Sequence, residues 1–115
     1  MYKIVGIYNR GEERTPKTNG RYPMRVGRIV SAETVMFATV GSPLVLQSEK
    51  DEHGNDYKGY YLRCSRLYRK SYIDDYTVEL ETQNTIYVLK KVKMWKNCFV
   101  LWDVHVPGKL HWQKQ

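Results

Sequence analysis

An all-β fold is the class this sequence predicts: a small antiparallel β-barrel or barrel-like sandwich, SH3-like in one version, with six or seven short strands. Three observations predict it. Tyr76 to Val92 (YTVELETQNTIYVLKKV) alternates apolar and polar residues, breaks at Gln83-Asn84 and alternates again, the pattern of a β-hairpin. There are ten tyrosines against two phenylalanines, and tyrosine suits strands where the ring packs and the hydroxyl stays wet. Turn signals recur along the chain with no convincing long helix between them, as in small barrels and sandwiches. Closing the sheet would also remove its exposed edges.

Taken in order, Tyr2 to Asn9 (YKIVGIYN) is the first expected strand. Tyr2, Ile4 and Tyr8 fall on one face and Val5 and Ile7 on the other, which suggests a central position. Gly11 to Pro23 is polar and rich in Gly, Pro, Asn and Thr, so it reads as a long loop with mobile character. Arg25 to Ser31 (RVGRIVS) reads as a second strand, with Gly27 marking a bulge or a close backbone approach. Ala32 to Val40 is ambiguous: Val35, Met36 and Phe37 favour a strand, whereas Ala32-Glu33 suits the start of a short helical turn. Gly41-Ser42-Pro43 is a turn, Leu44 to Ser48 a strand, Glu49 to Asp56 a solvated hairpin loop, and Tyr57 to Leu67 a longer strand.

The strands Tyr72 to Thr82 and Thr85 to Val92 then form the hairpin. A two-residue turn places Leu80 opposite Tyr87 and Val78 opposite Leu89 on an apolar face. The other face is mixed, with Glu79 opposite Val88, Glu81 opposite Ile86 and Thr77 opposite Lys90. Asn84 tolerates the left-handed backbone of a tight turn. A wider loop, Glu81 to Thr85, would pair Leu80 with Ile86 and exchange the faces; the two-residue turn is the favoured register. Met94 to Val106 (MWKNCFVLWDVHV) fits both helical and strand spacing, and its β-branched content favours a strand. Residues 1–106 form the expected single β domain and 107–115 a loose tail.

A chain of 115 residues with 42% hydrophobic content has material for one core and is too apolar for disorder. No apolar run approaches the roughly 20 residues of a membrane helix. The first residues lack a secretory leader's features, so the expected location is cytoplasmic. Cys64 and Cys98 form neither a metal pair nor a disulfide framework. Net charge is +7, and residues 1–30 carry seven basic against two acidic residues. Such an excess attracts polyanions.

The succession RVGRIV, VGSPLVL, YYLRCSRL and TVELETQNTIYVL resembles small all-β accessory proteins of bacterial phages and mobile elements. In these a strand ends in a Thr-x-Asn-Ser/Thr-x-Tyr turn, matched here by Thr82, Asn84, Thr85 and Tyr87. The resemblance spans about residues 2–92. It implies an accessory gene product and brings no site residues with it.

Catalytic signals are thin. Asp103 and His105 share a strand face, but no third ligand or nucleophile stands at a recognisable spacing. His53 falls in the acidic loop and His111 in the tail. Glu79 and Glu81 are a carboxylate pair that reads best as a solvated face. No phosphate loop, dinucleotide fingerprint or nucleophile elbow occurs, and no cofactor is implied. The better lead is basic and aromatic. Arg21, Arg25 and Arg28 crowd the end of the long loop. Tyr61 and Arg63 share a strand face opposite Leu62 and Cys64, and Lys90 adds a cation on the mixed face of the hairpin. Cations neutralise phosphates and exposed tyrosines stack on bases. The leading expectation is therefore a non-enzymatic binding module for nucleic acid or another polyanion. The alternatives are an inhibitor that binds a host defence or regulatory protein or its nucleotide ligand, with the tryptophans of the tail as its hot spot, and a small basic ribonuclease using His105.

Overall fold

In the computed structural model, which describes residues 1–11, 13–51, 53–95 and 98–101, the elements run β1 (Tyr2–Asn9), α1 (Tyr22–Arg25), β2 (Ile29–Val30), α2 (Ala32–Met36), β3 (Pro43–Lys50), β4 (Tyr61–Tyr72), β5 (Thr77–Thr82), β6 (Thr85–Trp95) and β7 (Cys98–Leu101). Strands β1 to β6 are antiparallel neighbours in one sheet, and β6 pairs with β1 as well as with β5. The sheet therefore closes in a ring of six strands. β7 extends it by pairing with the far end of β6.

Alternation along the β5–β6 hairpin sets the register of the ring. Val78 faces Leu89, Leu80 faces Tyr87, Glu79 faces Val88, Glu81 faces Ile86 and Thr77 faces Lys90. The two-residue turn is thus realised, and the wider loop is not. The turn is not left-handed, however: among the described residues Arg14 is the only non-glycine residue with positive φ. Gln83 and Asn84 keep ordinary backbone angles, and Thr82 Oγ1 donates to the Thr85 carbonyl across the hairpin at 3.3 Å.

The inward face packs Ile4, Val30, Val35, Leu44, Leu46, Leu67, Val78, Leu80 and Leu89 into one fully buried cluster. Each such aliphatic side chain contributes about 1.5–3 kcal/mol by leaving water. In β1 the pairing with β6 shifts between Ile4 and Gly6. That bulge changes the face mid-strand, so Ile4 and Ile7 both point inward, which is why the strand reads as apolar on two sides. A Cβ at Gly6 would lie 2.6 Å from the Tyr8 ring, so the aromatic ring covers the glycine directly.

Several boundaries differ from the sequence expectation. The strand over Arg25 to Ser31 shrinks to Ile29–Val30, because Tyr22–Arg25 is a helical turn with proline in its first turn, where a missing N–H costs nothing. Gly27 follows with φ 100° and donates its N–H to the Ile4 carbonyl at 2.7 Å. Ala32–Met36 takes the helical alternative, and it places Val35 in the core. Lys70 Nζ donates to the carbonyls of Val35 and Met36 at 2.7 and 2.8 Å, satisfying the open end of that helix. β3 runs on to Lys50, and beyond it the Asp51 carboxylate accepts the N–H groups of His53 and Asn55. β4 starts at Tyr61 and continues to Tyr72; β5 starts only at Thr77. Between them Asp74 accepts the Tyr76 N–H at 2.8 Å.

The long loop after β1 is pinned along its middle. Asn9 donates to the Thr15 carbonyl at 2.8 Å and Lys17 to that of Ile7 at 2.9 Å, with Pro16 bridging to Tyr8. The mixed face of the hairpin is accordingly largely shielded from water: Ile86 is 2% exposed and Glu79 8%. Strand spacing in the C-terminal region holds over Cys98–Leu101. The rest of that reading, with Asp103, His105, His111 and the tail 107–115, lies outside the described residues.

Candidate nucleic-acid interface

The first group of expected binding residues surrounds α1. The Tyr22 ring carries two cations, Lys17 Nζ and the Arg25 guanidinium, each 4.7 Å from its centroid. Arg25 also donates from Nη1 to the Tyr87 hydroxyl at 3.3 Å. Tyr87 is buried in the core, and its hydroxyl also accepts from the Cys64 thiol at 3.5 Å. Burial pushes the Cys64 thiol and the Tyr87 hydroxyl above their ordinary pKa values. Cys64 is therefore held as the poorly nucleophilic thiol. Arg25 is half-buried and engaged with aromatic and hydroxyl groups, whereas Arg21 is exposed.

Arg28 leads to a second feature. Its guanidinium lies 5.0 Å from the centroid of the Tyr57 ring, and Tyr57 stacks on Tyr60 with centroids 4.3 Å apart and planes 21° apart. Tyr60 is 59% exposed. It reaches this position from the turn that leads into β4, and its carbonyl accepts the Ser48 N–H at 2.9 Å. Tyr57 and Tyr60 were not among the expected site residues. The only sequence signal for them is the Tyr-x-x-Tyr spacing in a turn.

From Tyr61 to Cys64 alternation controls which side chains reach water, and the register shift against β3 between Pro43 and Val45 then leaves Ser65 and Arg66 both exposed. Leu62 is buried and Cys64 half-buried, whereas Tyr61, Arg63, Ser65 and Arg66 are exposed. Across the ladder Tyr61 faces Gln47, Arg63 faces Val45 and Arg66 faces Pro43. Neither Arg63 nor Arg66 has an ion-pair partner among the described residues. The structure thus brings Tyr61 and Arg63 together on β4, and Arg21, Arg25 and Arg28 together around α1. Lys90 belongs with neither: it is exposed on β6, where its Cα partners are Thr77 and Lys3.

The outer side of β5 is chemically different. Glu79 receives a two-pronged contact from Arg14, 2.8 and 3.0 Å, and a third from Arg69 at 3.4 Å. Glu81 is held by Arg10 at 2.7 Å and by Arg69 at 3.0 Å. The solvated carboxylate face expected from the sequence is in fact covered and paired. The Arg14 hydrogen bond, followed in size by opposing desolvation, leaves the Glu79 carboxyl below its ordinary pKa, the opposite of what a shared-proton carboxylate pair would show. A general-acid role for Glu79 is thereby disfavoured.

Among the described residues no three His, Cys, Asp or Glu side chains gather as a metal site requires, and no helix is long and apolar enough to cross a membrane. Compared with protein-family models, curated proteins and solved structures, the chain matches none.

Proposed function

We propose that this chain is a non-enzymatic binding module for nucleic acid or another polyanion, built on a small SH3-like barrel. The observation that carries the reading is β4, where Arg63, two residues from exposed Tyr61, and Arg66 farther along are exposed without an ion-pair partner among the described residues. Charge already matched by a carboxylate has little left for a phosphate, whereas an unmatched guanidinium binds phosphate in a fork. Arg21 and the net charge of +7 add attraction at longer range.

The test is affinity against ionic strength. Binding of DNA or RNA should weaken with salt, with a logarithmic slope of about 0.7 to 0.9 per phosphate neutralised. A salt-independent interaction, or none with DNA, RNA or heparin at low salt, refutes the reading.

A second reading rests on a different surface. Met36, Phe37 and Val40 at the end of α2 are 60%, 76% and 56% exposed, and exposed apolar groups of this kind mark protein contacts. In that reading the chain is an accessory factor of a phage or mobile element that binds a host protein. Phe37→Ser should then abolish capture of that protein while leaving salt-sensitive binding to nucleic acid untouched.

A further inference from the structure

Arg28, Tyr57 and Tyr60 form one cluster: the Arg28 guanidinium lies 5.0 Å and the Tyr60 ring 4.3 Å from the Tyr57 centroid. Tyr60 is its exposed member, with 59% of its surface open to solvent although it stacks on Tyr57. Its neighbour Tyr61, 54% exposed, begins the strand that carries Arg63 and Arg66.

The geometry points to Tyr60 as a stacking platform for an unpaired base, and so to single-stranded rather than duplex nucleic acid as the ligand. This inference rests on the polyanion-binding reading and narrows it. The argument is chemical. A flat ring offered outward is satisfied by another flat ring. In a duplex the base faces are already occupied by their neighbours, and only the backbone is presented to such a surface. In a single strand the base is free to add to the stack while the backbone phosphates remain available to cations. The stack is preformed by Arg28 and Tyr57, so little side-chain freedom is lost on binding. Recognition by stacking tolerates any base, so weak sequence preference follows.

The experiment measures affinity of the full chain for three probes at matched salt: an oligothymidylate of about ten nucleotides, a duplex of the same length, and heparin. The single strand should bind about tenfold or more tightly than the duplex. Tyr60→Ala should lose about tenfold on the single strand and nothing on duplex or heparin. Tyr60→Phe, which keeps the ring, should bind as the parent does. An unchanged circular dichroism spectrum and thermal melt of Tyr60→Ala show that the variant is folded. If Tyr60→Ala binds the single strand like the parent, or the duplex binds equally well, the stacking inference is overturned while polyanion binding stands. If none of the three probes binds even at low salt, both are overturned.

Discussion

Arg14 and Arg63 have the same side chain and opposite employment. Arg14, together with Arg10 and Arg69, is spent on Glu79 and Glu81 over the outside of β5. Arg63, with Arg66, stands on β4 and meets no carboxylate among the described residues. The difference teaches that charge count and available charge are separate quantities. The first thirty residues hold seven basic against two acidic residues, yet Arg10 and Arg14 close a loop over β5, and Lys17 and Arg25 flank Tyr22. Arg63 and Arg66 on β4 stay exposed without an ion pair among the described residues, as do Arg21, Lys90 and Lys91.

The sharpest way to break this contrast is Glu79→Ala. Glu79 is 8% exposed and holds two guanidinium groups, so its removal orphans Arg14 and leaves Arg69 with Glu81 alone. Those arginines are a little over 40% exposed, so water rescues them in part, and the cost should be about 2 kcal/mol. Urea denaturation measures it. Affinity for polyanions should hold or rise, because Arg14 is released.

The complementary variant, Arg63→Ala with Arg66→Ala, should reverse that pattern. Neither side chain supports the core, so stability should move by no more than about 0.5 kcal/mol. Affinity for single-stranded nucleic acid should fall about tenfold, and the salt slope should drop by about 1.4, or 0.7 for each lost phosphate contact. An unchanged slope would show that β4 is not the contact surface.

A pH titration probes the paired wall with a smaller effect. The Glu79 carboxyl is held below its ordinary pKa by Arg14, by way of a hydrogen bond and then its charge. A group depressed in the fold binds protons more readily when unfolded. Its stabilisation is therefore complete above the unfolded value near 4.5 and declines as pH falls through the lower folded value. Stability should drop over this acid window, and the drop should shrink in Glu79→Gln. Protonated Glu79 still accepts a hydrogen bond, so the loss should be less than that of the alanine variant.

How much of this was legible follows from sequence distance. Alternation is a local signal, and it carried the β5–β6 register through all five pairs, from Thr77–Lys90 to Glu81–Ile86. It also separated Tyr61 and Arg63 from Leu62 on β4. The β1 bulge was visible only as an oddity, apolar residues on two faces, because one extra residue resets the period without changing composition. The covering of Glu79 was not visible. Its partner Arg14 is 65 positions away, in a loop whose composition suggests mobility, and only closure of the ring between β1 and β6 brings that loop over β5. The Tyr57–Tyr60 stack was hidden for a related reason: the sequence reading placed Tyr57 on a strand, where i and i+3 point to opposite faces.

The turn at Gln83-Asn84 offers the gentlest test, because it belongs to the paired wall through its backbone. Arg10 Nη1 donates to the Gln83 carbonyl at 3.2 Å, and Lys17 Nζ to that of Asn84 at 3.3 Å. The same loop that neutralises β5 thus also grips the tip of the hairpin. Asn84→Gly would convert the tip to the Asn-Gly-like chemistry that favours left-handed turns. Asn84 has no positive φ to relieve, so glycine adds only unfolded-state freedom and should cost about 0.5 kcal/mol. A thermal melt resolves such a loss. Stabilisation by Asn84→Gly would instead mean that the tip prefers a left-handed turn, and that the grip of Arg10 and Lys17 on its carbonyls contributes nothing.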